Sequence, residues 1–218
     1  MKEDFKDFIE ASGLLEYDPD TISKIYRKNP NRLLKRLWQT LVPILAYIFS
    51  VGFDKITGKL KNDSQARYRA NQLTNLLVEL GPAFVKAGQA LSTRPDIIPV
   101  VLLEELSQLQ DQLPGFSGDK AMELIEEDLE KNIQDIFLEI DKEPISAASL
   151  GQVHKAILKD GEVVAVKVQR PGLREQITLD LYIVRNIAIW LKNNIGLIRS
   201  DLVALIDELG KRVFEEMD

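Results

Sequence analysis

The stretch PISAASLGQVHKAILKDGEVVAVKVQRPG, residues 144–172, decides the fold. Two runs within it, 153–158 and 162–169, are rich in β-branched residues and are predicted to be strands. The KDG sequence at 159–161 separates them, and an Asp-Gly pair is a strong signal for a tight hairpin turn. The RPG sequence at 170–172 ends the second run. The stretch therefore predicts two antiparallel strands joined by a short turn.

Helical patterns flank this hairpin on both sides. Residues 63–80 are predicted to form a helix, and Gly81-Pro82 interrupts it before a second helix that carries KAGQ, 86–89. Leucines then recur at spacings of four, three and four, which is typical of another amphipathic helix: Leu102, Leu106, Leu109 and Leu113. The linker LPGFSG, 113–118, precedes a Glu-rich helix. Apolar residues recur at helical spacing again after the hairpin, which predicts two more helices.

The composition excludes several classes of function. A net charge of -6 and an isoelectric point near 5.1 argue against nucleic acid as a partner, because phosphate neutralisation needs clustered Lys and Arg. The chain has no cysteine, which excludes disulfides, thiolate zinc sites and cysteine nucleophiles. His154 is the only histidine, and we expect it to lie half exposed on a strand. No metal site is predicted from these residues.

A basic and apolar segment lies near the N-terminus. Residues 21–53 contain no acidic side chain, and six cations precede the apolar run at 37–53: Lys24, Arg27, Lys28, Arg32, Lys35 and Arg36. Spanning a bilayer takes about 20 apolar residues, so this run, which contains Pro43, predicts a poor transmembrane helix. It fits a helix in the interface of an anionic membrane, and equally a helix packed in the core. The N-terminus lacks a secretory signal, so we expect a cytoplasmic chain, peripheral to a membrane.

The loop before the hairpin and the lysine after it carry the predicted chemistry. A loop of small residues lets backbone N–H groups approach phosphate oxygens, and Lys167 on the next strand can reach the α and β phosphates. A lone V-A-x-K sequence is weak evidence, because valines flank lysine on many edge strands. In this chain, loop, turn and lysine occur in the order found in kinases. The stretch therefore predicts a nucleotide site.

Two motifs in the chain resemble those of the UbiB-type (aarF-domain, or ADCK-type) family of atypical kinases. In that family an alanine-rich loop replaces the glycine-rich loop, and a helical extension carries a KxGQ motif. The stretches LGPAFVKAGQALSTRPDIIP, EELSQLQDQLP and VAVKVQRPG are also similar, so the resemblance covers about residues 65–218. The matching positions are Ser146, Ala147, Ala148 and Ser149 for the loop, and Lys86, Ala87, Gly88 and Gln89 for KxGQ.

The resemblance implies an α+β fold in which a KxGQ-type helical extension packs on a kinase-like N-lobe with a small antiparallel sheet. We predict three parts. Residues 1–62 form a basic and apolar amphipathic helical segment, 63–135 form the extension that carries KAGQ, and 136–218 form the lobe. The kinase C-lobe is absent from the sequence, and we expect it to be needed in cis.

The same resemblance implies roles for individual residues. Lys86 and Gln89 would point into the nucleotide cleft. The family's ExD element is matched at 216–218, so that Glu216 would pair with Lys167 and Asp218 would complete the element. Glu208 and Glu215 are alternatives to Glu216. The cofactors would be ATP and Mg²⁺, and the residues that bind the nucleotide would be Ser146, Ala147, Ala148, Ser149, Gly151 and Lys167.

Two departures from the family pattern affect the expected activity. Ser146 replaces the first alanine of the loop. No residue follows Asp218 to supply the catalytic-loop Asp and Asn or the metal-binding Asp, so we expect this chain to be catalytically incompetent alone. The implied function is the ATP-binding part of an atypical kinase or ATPase in quinone-lipid biosynthesis, acting at an anionic or quinone-containing membrane. The alternative is a non-catalytic lipid-binding or interaction module that uses the lobe as a scaffold.

Overall fold

The computed structural model describes residues 14, 16–96, 98–110, 113–194 and 201–217. These residues form a mostly helical protein with one small sheet. The helices are α1 (Pro19–Arg27), α2 (Pro30–Ile56), α3 (Asp63–Leu80), α4 (Pro82–Ser92), α5 (Val100–Ser107), α6 (Gly118–Leu129), α7 (Ile133–Ile136), α8 (Leu173–Asn194) and α9 (Leu202–Met217). The strands are β1 (Phe137–Ile140), β2 (Ser146–Ala147), β3 (Gly151–Leu158) and β4 (Val163–Gln169).

Local chemistry explains where the helices begin and end. Asp18 caps α1 and Asn62 caps α3, because each side chain accepts a hydrogen bond from an N–H group of the first turn. Gly81 lies between α3 and α4 at φ +109°, a conformation that L side chains rarely adopt. Pro82 then occupies the first turn of α4, where a backbone N–H would have no partner within the helix, so the missing N–H of proline costs no hydrogen bond. The predicted interruption before KAGQ is confirmed.

The sheet is antiparallel and is built around β3. Strand β4 pairs along one edge of β3, and β1 and β2 share the other edge. Gly151 lies opposite Gln169, and Ile157 lies opposite Val163, so the predicted hairpin is confirmed. Gly161, at φ +91°, makes its turn. The α+β fold class, with a small antiparallel sheet among helices, is confirmed.

The apolar core has three clusters, and each joins different elements. The first holds α1, α8 and α9 together around residues such as Tyr26, Ile177 and Phe214. The second lies between α6 and one face of the sheet, where Ala156 and Val168 are buried. The third joins α3, α4 and α5 through Val85, Leu106, Leu109 and Leu113. The first and third clusters place α4 and the end of α9 beside the sheet.

His154 differs from its predicted position, because its side chain is fully buried. It lies on the face of β3 that also carries Ala156, and α6 covers this face. One ring nitrogen, Nδ1, contacts the carbonyl of Asp141 at 2.8 Å, and the other, Nε2, contacts the Gln152 amide at 3.0 Å. The Gln152 oxygen accepts from the N–H of Phe116 at 2.9 Å. The expectation of half exposure was wrong because β3 is the central strand of the sheet.

Helix α2 carries a row of exposed apolar side chains along one face. Thr40 and Asp54 are its buried residues, and it packs against α3 and α8. Among the residues described, it is the one helix long and apolar enough to cross a bilayer, and 11% of its most apolar window is buried. Its exposed apolar residues are Leu34, Trp38, Val42, Leu45, Ile48, Phe49, Phe53 and Ile56. Leu33 and Leu37, on its inner side, pack against the first core cluster, so the helix has one side on the core and an exposed apolar face.

Candidate functional site

The predicted site residues converge on one cavity of about 310 Å³. It lies between α4, the loop that joins β2 to β3, strand β4 and the C-terminal end of α9. Ala147 lies in β2 opposite Gln152 and is not among the lining residues, and Asp218 lies outside the described residues. The predicted residues that line the cavity are Lys86, Gln89, Ser146, Ala148, Ser149, Gly151, Lys167 and Glu216.

The small-residue loop folds back on itself at one end of the cavity. The Ala148 N–H donates to the carbonyl of Gly151 at 2.8 Å, which closes a tight turn. The Arg170 N–H donates to the carbonyl of Leu150 at 3.0 Å and holds the loop against the end of β4. A Cβ on Gly151 would collide with the carbonyl oxygen of Val168. Glycine is required at this position because the two strands approach too closely for a side chain.

The guanidinium of Arg170 holds the same loop through hydrogen bonds to its backbone carbonyls. It donates to the carbonyls of Ala148 and Ser149, each at 3.0 Å, and to the carbonyl of Pro114 at 2.6 Å. Burial lowers the pKa of Arg170. The sequence analysis assigned Arg170 no role, although its place directly after the predicted strand 162–169 is a signal that could have suggested one. Arg170 thus positions the loop without lining the cavity.

Glu216 forms its ion pair with Lys86, and not with the predicted partner Lys167. The Lys86 Nζ lies 2.5 Å from a carboxylate oxygen of Glu216, so KAGQ and the end of α9 are joined across the cavity. Lys167 lies on β4 opposite Val153 and lines the same cavity, and no ion pair of Lys167 occurs within the described ranges. The two ammonium groups and one carboxylate therefore share one site.

The alternatives to Glu216 lie elsewhere on α9. Glu208 pairs with Arg212 on the surface of the helix, at 3.0 Å. Glu215 is exposed and is not among the residues that line the cavity. Gln169 at the end of β4 donates to the carbonyl of Met217, which holds the last turn of α9 beside the sheet. This contact explains why Glu216 is the acidic residue of α9 that reaches the cavity.

The small residues of KAGQ allow α4 to pack closely beside the cavity. A Cβ on Gly88 would lie 2.6 Å from a methyl carbon of Leu109 and 2.8 Å from one of Leu77. The Gln89 side-chain amide donates to the carbonyl of Leu109 at 2.7 Å. Gln89 therefore lines the cavity and also ties α4 to the turn that follows α5.

The cavity has the donors that a phosphate chain needs. Lys86 and Lys167 supply positive charge, and a narrow loop lies within the same wall. Glu216 is a single carboxylate, and no group of three or more His, Asp or Glu side chains suited to a metal ion occurs in the part of the chain that the structure describes. The residues described thus fit phosphate groups, and Glu216 alone does not complete a Mg²⁺ site.

Comparisons with known proteins place this chain in a family. The family model of the "ABC1 atypical kinase-like domain" matches residues 108–218. "Uncharacterized protein sll0005" of Synechocystis sp. is 51% identical over 93% of this chain and 30% of that protein. "Protein ACTIVITY OF BC1 COMPLEX KINASE 3, chloroplastic" of Arabidopsis thaliana is 41% identical over 93% of this chain and 28% of that protein. The chain thus spans about 30% of the length of such curated relatives.

A solved structure is also similar in sequence. It is the complex of Rv3197 with erythromycin from Mycobacterium tuberculosis, at 34% identity over 76% of this chain and 41% of that chain, with a TM-score of 0.42. The assignment to a family rests on the matched model, which covers more than half of the chain, from the turn after α5 through the loop and Lys167 to the end. The chain belongs to the ABC1 atypical kinase-like family. This is the aarF-domain family that the sequence was found to resemble.

Proposed function

We propose that this chain is the ATP-binding part of an atypical kinase or ATPase. The observation that carries the proposal is the convergence of KAGQ, the small-residue loop, Lys167 and Glu216 on one cavity, although they lie far apart in the sequence. Lys167 would bind the α and β phosphates, as the strand lysine of kinases does. ATP would supply the transferable phosphoryl group, and Mg²⁺ would need ligands beyond Glu216.

Lys86 gives this site its particular chemistry. Lys86 pairs with Glu216 and lines the cavity, and the family resemblance implies that helix α4 occupies the space that a protein kinase leaves for a peptide. This arrangement supports ATP hydrolysis or phosphoryl transfer to a small molecule. The proposed context is quinone-lipid biosynthesis or its regulation, and it is supported by the family resemblance.

The substitution Lys167→Ala tests the nucleotide site. A hydrogen bond to a charged group contributes about 1.5–3 kcal/mol, so ADP affinity should fall by about tenfold or more. Isothermal titration calorimetry measures it. Lys155→Ala is the matched control, because Lys155 is an exposed lysine on the neighbouring strand and does not line the cavity. Equal affinities for the two variants would contradict the proposed site.

We also infer that α2 attaches the chain to the surface of an anionic membrane. Its outward apolar face, with Trp38 and Phe49 each more than 70% exposed, supports contact with lipid. Its inner face is fixed by ion pairs of Arg36 with Asp180 and of Asp54 with Arg69. Crossing the bilayer would remove these pairs from their partners, so the helix should lie in the interface.

Cosedimentation with vesicles tests this attachment. We expect binding to vesicles that contain phosphatidylglycerol, and weaker binding in high salt, because each Lys or Arg near the surface contributes about 1 kcal/mol. The double substitution Trp38→Ser and Phe49→Ser should lower binding by about tenfold or more. Trp190→Ser, an exposed tryptophan on α8, is the control. Vesicle binding without nucleotide binding would support the non-catalytic lipid-binding module instead.

A further inference from the structure

A second cavity, of about 710 Å³, lies between the start of α2 and the turn that joins β4 to α8. None of its lining residues belongs to the nucleotide cavity. Lys35 and Gln39, which are one turn apart on α2, form one wall. Arg170 and Arg174 flank the turn on the opposite wall.

The charge around this cavity is not balanced by its own ion pairs. Arg36 pairs with Asp180, at 2.6 Å. Arg170 and Arg174 donate to backbone carbonyls, which carry no net charge; the acceptor for Arg174 is the carbonyl of Leu14, at 2.5 Å. Lys35 makes no hydrogen bond or ion pair within the described ranges. Two carboxylates also line the cavity: Glu175 pairs with Arg32, and Asp128 makes no ion pair within the described ranges. Five cations therefore line the cavity against these two carboxylates and Asp180, and the excess of positive charge favours an anion.

The floor of the cavity is apolar, which restricts the kind of anion. Leu173 and Leu179 are buried there, and Leu124 lies beside them. A compound that joins a phosphate to a carbon skeleton would satisfy both the rim and the floor.

We propose that this cavity binds the phosphate group of a phosphate ester, from a lipid headgroup or from a free metabolite. The Arg174 guanidinium has N–H donors besides the one bonded to Leu14 and can bind phosphate oxygens through them, whereas Arg170, whose Nε and one terminal nitrogen hold loop carbonyls, adds positive charge. The N-terminal end of α8 lies in the same wall and adds a favourable dipole. Lys35 and Gln39 neighbour the exposed Leu34 and Trp38 on α2, so a lipid bound at that face could place its headgroup in the cavity.

Two substitutions on α2 test the proposal without removing a structural contact. Lys35→Gln removes a charge that has no partner in the described part, and Gln39→Glu adds a carboxylate to the wall. Their matched controls are Lys28→Gln and Asn31→Asp, which make the same changes of charge at exposed positions outside the cavity. All are made in the Lys167→Ala chain, so that the nucleotide cavity contributes little to the readout.

The probes separate the two sources of phosphate. Inorganic pyrophosphate, titrated by calorimetry, reports on a free phosphate, and cosedimentation with phosphatidic acid vesicles reports on a headgroup. We expect each cavity substitution to weaken binding of at least one probe by about tenfold, and the controls to leave it within about twofold. Loss for pyrophosphate assigns a soluble ligand, and loss for vesicles alone assigns a lipid. Equal effects of cavity and control substitutions on both probes, or no binding of either, would overturn the proposal.

Discussion

Glu216 lies in the cavity with both predicted lysines, Lys86 of KAGQ and Lys167 of β4. In protein kinases the strand lysine pairs with a helix glutamate, and this pair marks an assembled site. In this chain the glutamate contacts Lys86 of KAGQ at 2.5 Å, and Lys167 lines the same cavity without an ion pair in the described part. A phosphate chain that attracted Lys86 would release Glu216 toward Lys167. The cavity therefore contains two possible partners for one carboxylate.

Gly151 sets how closely the loop approaches β4, and its replacement is a prediction at this scale. In Gly151→Ala the new Cβ would meet the carbonyl oxygen of Val168, and backbone atoms cannot rotate away. We expect the free energy of unfolding to fall by about 1–3 kcal/mol, as for other overpacked positions. Urea denaturation measures it.

The matched control for Gly151 is Gly52, a helical glycine. A Cβ at Gly52 would have no neighbouring atom within 4 Å. Gly52→Ala should leave the free energy of unfolding unchanged or raise it by up to about 1 kcal/mol, because alanine has the higher helix propensity. A Gly151→Ala chain as stable as Gly52→Ala would show that the strands can separate without penalty.

The residues that could be predicted are those with a local signal. The small-residue loop and Lys167 follow from strand pattern and order, and the structure places both at one cavity. The pairing of Lys86 with Glu216 could not be predicted, because it depends on how α4 and α9 pack across 130 residues of sequence. The contacts of Arg170 could not be predicted either, because they depend on how the loop folds back against the end of β4.

At the scale of elements, α2 is held by polar contacts on its inner face. Arg36 binds Asp180 of α8 and also donates to the carbonyl of Leu80, at the end of α3. Gln176 of α8 donates to the same carbonyl at 3.3 Å. Burial raises the pKa of Asp180 even though Arg36 opposes the shift. These contacts fix α2 and α8 to the bend that precedes KAGQ.

Arg36→Met is the prediction for this junction. Removing one partner of a buried pair typically costs about 3–5 kcal/mol, since the carboxylate of Asp180 is left unpaired. The folded chain would then hold a proton on Asp180 more tightly than the unfolded chain does. The free energy of unfolding should therefore fall as pH rises from the ordinary Asp value of 3.8 through the raised pKa, and the loss should be larger at pH 7 than at pH 4.

Two further chains complete this experiment. The double substitution Arg36→Met and Asp180→Leu should recover much of the stability at pH 7, because no unpaired charge remains. Arg212→Met removes an exposed ion pair on α9 and should change stability by less than about 1 kcal/mol at either pH. A loss in Arg36→Met that did not depend on pH would indicate that packing, and not the charge of Asp180, accounts for it.

Some helices and strands could be predicted from the sequence and others could not. The helix at 63–80, the helix that carries KAGQ and the hairpin were predicted from strong periodic or turn signals in the sequence. The structure contains all three. Strands β1 and β2 have four and two residues, which is too short for a pattern, and they exist because they pair with β3. The sequence left two alternatives for α2, a membrane-interface helix and a core helix, because an apolar stripe alone does not show whether it faces the core or the outside.

At the scale of the whole molecule, the N-terminal segment and the lobe share packing. Leu14 and the α1 residues Ile22, Ile25 and Tyr26 belong to the same apolar cluster as α8 and α9. The division into 1–62, 63–135 and 136–218 stays a prediction. This shared cluster implies that movement of α1 and α2 would be felt at α9, which carries Glu216 into the nucleotide cavity.

The last prediction concerns nucleotide affinity and the length of the chain. The 218 residues span about 30% of relatives such as the Synechocystis protein sll0005, and the catalytic-loop and metal-binding residues of kinases lie C-terminal to the small lobe. We expect this chain to bind ADP weakly. A chain continued after residue 218 with the corresponding region of sll0005 should bind ADP and Mg²⁺ at least about tenfold more tightly, because it would add an opposite wall and metal ligands.

Lys167→Ala tests whether the tighter ADP binding of the continued chain uses the cavity that contains Lys167 or a separate site in the added region. In the continued chain this substitution should remove most of the gain, because the phosphates would lose a cation of the cavity described above. Calorimetry with and without Mg²⁺ measures both effects. Tight, magnesium-dependent binding by the 218-residue chain alone would show that its own residues complete the site. A gain that Lys167→Ala did not affect would place the nucleotide outside the cavity between α4, β4 and α9.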